Sequence, residues 1–531
     1  MVIRSAGSVQ SDEVVRADVC VIGSGAAGIT IARCLDGTDT NVLLLEAGGL
    51  RRDCSAEDES FRVENIGLQP NDEIESRGRW FGGSTNLWFG RIALPDPIDF
   101  ETRAWVDNSG WPVSLDTLKQ WYPVAADILG VRHLDRFDVS TWPSNETTRV
   151  FGEAVTTELR TFFWADAQNM AEAARPILER SRNVVTMTDA AVQEIVLNDN
   201  SVVSALRVVG PGGVTFNVVA SEFVLAAGGI ENPRLLLAST SSHSNGVGNE
   251  HDTVGRYLMD HPRGEGSGKV DLKGLTDKQR QLMSMLDERS DGPYGTTQLR
   301  VVFPQAMQRR EELLNHSLHG YVLSDEHSCA GFASYKRVRE RLGLRRTGRP
   351  LHLLNDLASM SRDAPALARL LVGKAPATQF VVVDQMEQEP DPESRITVNH
   401  RDRDRFGLPR VRSDWRVGES TIRSQRRMHE IFRDALAAEG VPFESRVLDG
   451  EDVRILDMKH PSGTTRMSAS PRKGVVDADL RVHGVDNLSI VGSSTFPTAG
   501  NFNPTFLIVA MAARLAARLQ VSEQIRVSVS R

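Results

Sequence analysis

The chain has 531 residues, 40% of them hydrophobic and 25% charged, more than one core accommodates, so about two to four domains are expected. Lys+Arg 62 against Asp+Glu 70 leaves a net charge of −8, which argues against a nucleic-acid partner. The four cysteines (20, 34, 54 and 329) show no C-x-x-C pair, and no apolar stretch approaches the roughly 18 residues of a membrane span. A disulfide framework, a metal site, a secretory signal and a membrane anchor are set aside, and a cytoplasmic protein with reduced thiols is expected.

The chain opens β–turn–α–β. Ala17 to Ile22 (ADVCVI) is a continuous apolar run of the kind found in a buried parallel strand. Gly23 to Gly28 (GSGAAG) is a glycine turn, Ile29 to Leu35 has helical periodicity, and Asn41 to Glu46 is a second strand ending on an acid. A G-x-G-x-x-G between strand and helix is a dinucleotide signature. Gly23 permits the tight turn, Gly25 lets backbone N–H groups reach a pyrophosphate, and Gly28 lets the helix approach the sheet. Ser24, Ala26 and Ala27 complete the turn. Glu46, 23 residues after Gly23, suits ribose hydroxyls and disfavours a 2′-phosphate. On these residues alone, FAD and NAD both remain open.

Residues 100–170 are rich in Trp and Asp. Val184 to Ala227 carries strand-like runs (EIVL, SALRVV, FVLAAGG) separated by Asn-Asp-Asn and Pro-Gly-Gly turns. Residues 266–376 read as polar and helical, and 336–374 holds ten Lys/Arg against three Asp/Glu. This is a solvated helical insertion or a docking face for a partner subunit, nucleic acid or a membrane surface. Phe380 to Asp384 and Arg395 to Val398 read as strands that join one sheet. Between them Gln385, Glu387, Gln388 and Glu389 are hydroxyl-binding candidates or an exposed polar turn. The last eighty residues close on NLSIVGSS, a loop, and a long apolar helix, TFLIVAMAARLAARL.

Five separated blocks, in order, carry a family resemblance. They are the N-terminal glycine motif; Arg79-Trp-Phe-Gly82-Gly83-Ser84-Thr-Asn86-Leu87-Trp-Phe-Gly90; Leu225-Ala-Ala227-Gly228-Gly-Ile-Glu-Asn-Pro-Arg; Val254-Gly-Arg-Tyr-Leu-Met-Asp260-His261; and His460-Pro-Ser-Gly-Thr-Thr-Arg-Met continuing to Gly492-Ser493-Ser-Thr-Phe-Pro497 and Asn501-Phe-Asn503-Pro504. Together they resemble the glucose–methanol–choline (GMC) family of FAD-dependent alcohol oxidoreductases over close to half the chain. The resemblance implies a Rossmann-like α/β FAD-binding domain from 13–95, 171–265 and 450–520. It also implies a discontinuous α+β substrate domain from 96–170 and 266–449, with a sheet over the flavin and a helical, locally basic insertion at about 270–376.

Within that family the Arg79–Gly90 stretch is a loop passing the pyrophosphate and the flavin ring. Some sugar-oxidising members bond the flavin covalently to a His here; Asn86 and Leu87 stand in this chain, so noncovalent FAD is expected. Val192 resembles the strand position whose backbone holds the adenine, or is simply a buried core residue. Ala227, Gly228, Ser493, Pro504 and Thr505 fall on further cofactor contacts. His460 matches the family's catalytic base and Asn503, 43 residues later, its second catalytic position. A neutral imidazole takes the hydroxyl proton as hydride leaves carbon for flavin N5, and an amide steadies the developing alkoxide. Gly492 departs from the pattern, since many members have Asp there.

The QMEQEPDPESR stretch and the H-P-S-G-T-T-R-M wording are similar to sugar-oxidising relatives such as pyranose oxidase and glycoside 3-dehydrogenase. The expected substrate is a hydroxylated, carbohydrate-like small molecule (a sugar, glycoside or cyclitol) oxidised at a secondary hydroxyl. A primary or simple alcohol, or a non-redox lyase that keeps FAD, are the alternatives. The electron acceptor (oxygen, a quinone or a redox protein) stays open.

Overall fold

The opening segment folds as a strand, Val14–Ile22, a helix, Ala26–Leu35, and a second strand, Val42–Leu45, in the computed structural model of the chain. The structure describes residues 3–53, 60–69, 77–131, 134, 158–164, 169–287, 291–292, 295–342, 353–372 and 375–529. Val14–Ile22 is the centre of an eight-stranded sheet, flanked in parallel by Val42–Leu45 and Thr215–Leu225. Val184–Thr188 and Ile3–Ser5 extend it in parallel beyond Val42–Leu45, and Leu488–Ile490 joins Thr215–Leu225 in parallel. The hairpin strands Val203–Val209 and Ala191–Leu197 complete it antiparallel.

The central strands bury every residue from Val19 to Ile22 and from Val42 to Leu45, which requires cover on both faces. One cover is Ala26–Leu35, packed against the terminal helix Pro504–Val529. From Phe506 to Leu519 that helix is apolar on nearly every side because it is sandwiched: Tyr122–Leu129 lies on it, with Tyr122 edge-on to Phe506 at 5.0 Å. Parallel pairing has a consequence for function. The carboxyl ends of Val14–Ile22, Val42–Leu45, Thr215–Leu225 and Leu488–Ile490 fall along one edge. Gly23, Glu46, Ala226 and Val491 therefore open neighbouring loops, the usual place for a ligand in such sheets.

A second, antiparallel sheet runs in the order Glu444–Ser445, Gly268–Asp271, Gln379–Gln385, Ser317–Leu323, Gly295–Val302, Glu158–Trp164, Arg91–Ile92. Alternation divides its two faces. Leu299, Val301, Leu318, Phe380 and Val382 pack with Met428, Ile431, Phe432 and Leu436 of the helix Glu419–Ala438 in a core of their own. The opposite face carries Arg300, His319 and Gln385, all buried.

Two expectations change. Helices in the 266–376 region are Asp277–Met285, Ala330–Leu342, Leu353–Arg362 and Ala364–Leu371, but Gly295–Val302 and Ser317–Leu323 are central strands. Their polar alternate residues, which face inward, gave the segment its polar character. The basic stretch 336–374 falls partly outside the described residues. The two strands predicted to share a sheet do not: Arg395–Arg403 pairs with Pro409–Asp414, in a three-stranded sheet with Val63–Asn65. The Met386–Ser394 segment leads the chain away from the second sheet, its Gln388 amide donating to the Leu258 and Arg416 carbonyls. Among the described residues no helix is long and apolar enough to cross a membrane.

Candidate active site

The glycine turn is built by close approach. A methyl on Gly28 would sit 1.9 Å from the Gly23 carbonyl oxygen, whereas one on Gly25 would meet nothing within 4 Å. The first glycine lets the helix close on the turn, and the second leaves the helix N-terminus open toward a ligand. Glu46 is 5% exposed. Its carboxylate accepts from Ser24 Oγ at 2.6 Å, Ser24 N at 3.2 Å and Gly48 N at 2.9 Å. Ser24 Oγ in turn accepts from Gly82 N at 3.1 Å, so the Gly-Gly-Ser loop lies against the glycine turn.

Within that loop Asn86 Nδ2 donates to the Phe81 and Gly83 carbonyls, each at 3.0 Å, closing the turn that Leu87 leaves. Ser84 Oγ accepts from Gly78 N. Arg79 is buried and lies over the Phe406 ring at 3.9 Å. Ala227 N donates to Asn232 Oδ1, and Asn232 Nδ2 donates to Ser494 Oγ, which ties the loop at Gly228 to the loop at Ser493. Ser493 Oγ donates to the Pro461 carbonyl at 2.7 Å, drawing the His460 loop into the same group. Val192 is buried in the core, where a register shift between Val192 and Glu194 breaks the ladder. Gly492 has φ 147 and ψ −179, a region closed to side chains, which is why no Asp is accommodated here.

His460 is half-buried. Its backbone N–H donates to Asp260 Oδ2 at 2.7 Å, while Asp260 Oδ1 accepts from His261 N at 2.7 Å and Met458 N at 3.0 Å. One carboxylate thus holds two chain segments 200 residues apart. The rings of His261 and His460 meet edge to face, centroids 5.0 Å apart, with their Nδ1 atoms 2.9 Å apart. His261 Nε2 is 3.3 Å from the Ala499 carbonyl oxygen, in the loop that reaches Asn503. Burial, His261 and the Arg91 charge hold the His460 imidazole well below its ordinary range, so it is neutral. Asp260, His261 and His460 bring possible ligand atoms within 4.8 Å. Those atoms are already engaged with backbone donors and with each other, which makes the group a hydrogen-bond network rather than a cation site.

Asn503 immediately precedes the terminal helix, with Pro504 and Thr505 in its first turn. An Asn at such a boundary ordinarily accepts from the first turn of the helix. Here Asn503 Oδ1 is buried without a hydrogen-bond partner, a polar atom left for something the chain does not itself supply.

The polar face of the second sheet closes the group. Arg300 Nη1 donates to Asn501 O and Oδ1 at 2.6 and 2.7 Å, and Gln385 Nε2 donates to Asn501 O at 2.8 Å. His319 Nε2 lies 3.2 Å from Arg91 Nη1. The four substrate candidates separate. Gln385, Glu387 and Gln388 are buried, and Glu389 is half-buried and accepts from Ser420 N at 3.2 Å, so none is an exposed turn. Gln385 keeps Oε1 unpartnered. Glu387 is consumed by Arg103 in a two-bond ion pair and by Asn315 N. Gln388 Oε1 accepts from Asp260 N and Trp415 Nε1, and its amide is also spent on carbonyls.

Three residues of this group, Arg91, Arg300 and His319, drew no attention in the sequence, and His261 and Asn501 only as parts of quoted blocks. Arg91 directly follows the Gly-Gly-Ser loop and Asn501 opens the Asn-Phe-Asn-Pro entry, so both had a positional signal. His319 and Arg300 had only strand alternation.

The N-terminal domain of the GMC oxidoreductase family matches residues 168–263, and its C-terminal domain matches residues 390–512. The large subunit of fructose dehydrogenase from Gluconobacter japonicus is 23% identical, over 95% of this chain and 98% of that protein. Paromamine 6'-oxidase from Streptomyces fradiae is 25% identical, over 94% and 90%. The crystal structure of pyridoxine 4-oxidase from Mesorbium loti shares the fold with a TM-score of 0.57 at 19% identity, covering 94% of this chain and 99% of that one.

Proposed function

The chain is a GMC-type oxidoreductase carrying both domains of that family, and from this premise we propose that it oxidises a secondary hydroxyl of a carbohydrate-like substrate to a carbonyl, with FAD bound noncovalently. The residues present suit that cofactor. The open space over Gly25, the helix N-terminus behind it and the Glu46 carboxylate fit a pyrophosphate and a ribose. Gly82, Gly83, Ser84, Ala227, Gly228, Ser493, Pro504 and Thr505 belong to the loops around it, and Val192 to the broken ladder suited to an adenine. The 79–90 loop offers no His, Cys or Tyr for a covalent link, and Asn86 is occupied in its own turn. Bound FAD supplies the hydride acceptor.

The observation that carries the reading is the neutral His460 held by Asp260 and His261 beside the Asn503 loop. His460 takes the hydroxyl proton, for which a neutral imidazole in hydrogen-bond reach contributes roughly 10²–10⁴-fold. Asn503 supplies an amide for the alkoxide that develops. Gln385 Oε1 offers an acceptor to a further hydroxyl, while Glu387 and Gln388 shape the site from behind. The carbohydrate preference draws support from relatives whose names include a fructose dehydrogenase and a paromamine oxidase. The acceptor that reoxidises the cofactor is oxygen, a quinone or a redox protein.

The test is anaerobic bleaching of the flavin absorbance by sugars, glycosides, aminocyclitols and simple alcohols. Bleaching by polyhydroxylated rings is expected; bleaching by simple primary alcohols alone would overturn the substrate class.

A further inference from the structure

The imidazoles of His261 and His460 share one hydrogen bond through their Nδ1 atoms, so one Nδ1 bears a proton and the other a lone pair. The far side of His261 decides which. Its Nε2 faces the Ala499 carbonyl at 3.3 Å, and the Gly500 carbonyl also accepts from the ring. Carbonyl oxygens only accept, so His261 Nε2 carries hydrogen. His261 is 2% exposed, and burial holds its pKa down to about 4, so the ring is neutral and that proton is its only one. His261 Nδ1 is therefore the acceptor, and His460 donates Nδ1–H to it. A neutral His460 so bound has its lone pair on Nε2, the nitrogen turned away from His261.

We propose that His261 is a positioning residue that selects the Nε2-basic tautomer of His460, a role that rests on the reading of His460 as proton acceptor. The Asp260 carboxylate takes the backbone N–H of both histidines at 2.7 Å, so the pair is aligned by the chain and not by side-chain packing alone. When Nε2 takes the substrate proton, the ring becomes an imidazolium. Its Nδ1–H···Nδ1 bond then becomes charge-assisted and stronger. His261 acts here as the carboxylate does in a Ser-His-Asp triad, holding tautomer and orientation, but it is neutral and adds no anion near the reacting hydroxyl.

The test uses FAD-loaded wild type and three variants, His261→Leu, His261→Asn and His460→Ala, with the best reductant from the alcohol panel. His261→Leu removes the acceptor and is expected to slow anaerobic flavin reduction by roughly 10²–10⁴-fold, with FAD content and KM little changed. His261→Asn restores an acceptor near the Nδ1 position and a donor toward Ala499, and should recover at least about tenfold of that loss. Independently of turnover, ¹⁵N NMR of histidine-labelled wild type should find His460 protonated at Nδ1 and bare at Nε2, with that preference lost in His261→Leu. A slow His460→Ala beside a His261→Leu that reduces at the wild-type rate would overturn the positioning role. So would a wild-type His460 protonated at Nε2. Undiminished reduction in His460→Ala would instead remove the base assignment, and the NMR result would still decide the tautomer. Should the leucine variant not fold, the asparagine variant and the wild-type spectrum carry the decision.

Discussion

Arg103 and Glu387 form a two-bond ion pair, Nη1–Oε2 2.8 Å and Nη2–Oε1 2.5 Å, with both side chains sealed from solvent. Asn315 N adds a third donor to the same carboxylate at 2.7 Å. Breaking such a pair by removing one charge leaves the other buried and uncompensated, at a cost of about 3–5 kcal/mol. Glu387→Gln is therefore expected to lower the melting temperature strongly. Its remaining folded fraction should keep an unchanged KM. A large KM increase at normal stability would place Glu387 on the substrate instead.

Gly25 and Gly28 should respond differently to a single methyl. At Gly28 the methyl meets the Gly23 carbonyl at 1.9 Å, while at Gly25 it enters open space. Gly25→Ala should fold with wild-type stability and weaken FAD binding by at least about tenfold, near 1.4 kcal/mol. Gly28→Ala should lose stability itself. Thermal melting of the FAD-free protein and flavin titration separate the two outcomes.

How much of this was legible in sequence depends on the range of the contacts. The strand–turn–helix at Val14–Leu35 and the next strand, Val42–Leu45, with the acid Glu46 at its end, are local, and hydrophobic runs with glycine spacing specify them without help from the rest of the chain. The quoted blocks located His460, Asn503 and the Gly-Gly-Ser loop for the same reason. Glu387 and Gln388 were legible as polar groups but not as structural ones, because Arg103 lies 284 residues from Glu387 and nothing local announces it. The strands Gly295–Val302 and Ser317–Leu323 are hidden by their inward polar residues, Arg300 and His319, which meet Asn501 and Arg91 on the buried polar face. Their partners lie far along the chain, so the local pattern reads as polar and helical.

The depressed His460 pKa fixes the direction of a pH dependence. His460 must be neutral to accept a proton, and burial, His261 and Arg91 hold it well below its ordinary range. The rate of flavin reduction should be flat through neutrality and fall only on acidification, with an apparent pKa under the ordinary imidazole value of about 6.5. An acid limb at or above that value would contradict the arrangement.

The same burial makes stability pH-dependent. His261 titrates near 4 in the folded chain and near about 6.5 when unfolded, so the unfolded state binds more protons between those values. Stability is then fully present above the unfolded value and falls as pH drops toward 4, with a slope of about 1.4 kcal/mol per pH unit for this residue. His316 and His319 are lowered in the same sense by burial. Melting temperatures between pH 7 and 4 should fall less steeply in His261→Asn than in wild type.

Noncovalent attachment has a simple readout. Acid precipitation should release all yellow colour into the supernatant, because Asn86 and Leu87 offer no nucleophile to the ring. Flavin retained in the pellet would refute it.

The most direct measurement is stopped-flow anaerobic reduction of the bound flavin in wild type and His460→Ala, using the best alcohol from the panel. If His460 is the base, the variant keeps its FAD and reduces at least about 10²-fold more slowly. Equal rates at equal FAD content would contradict that role.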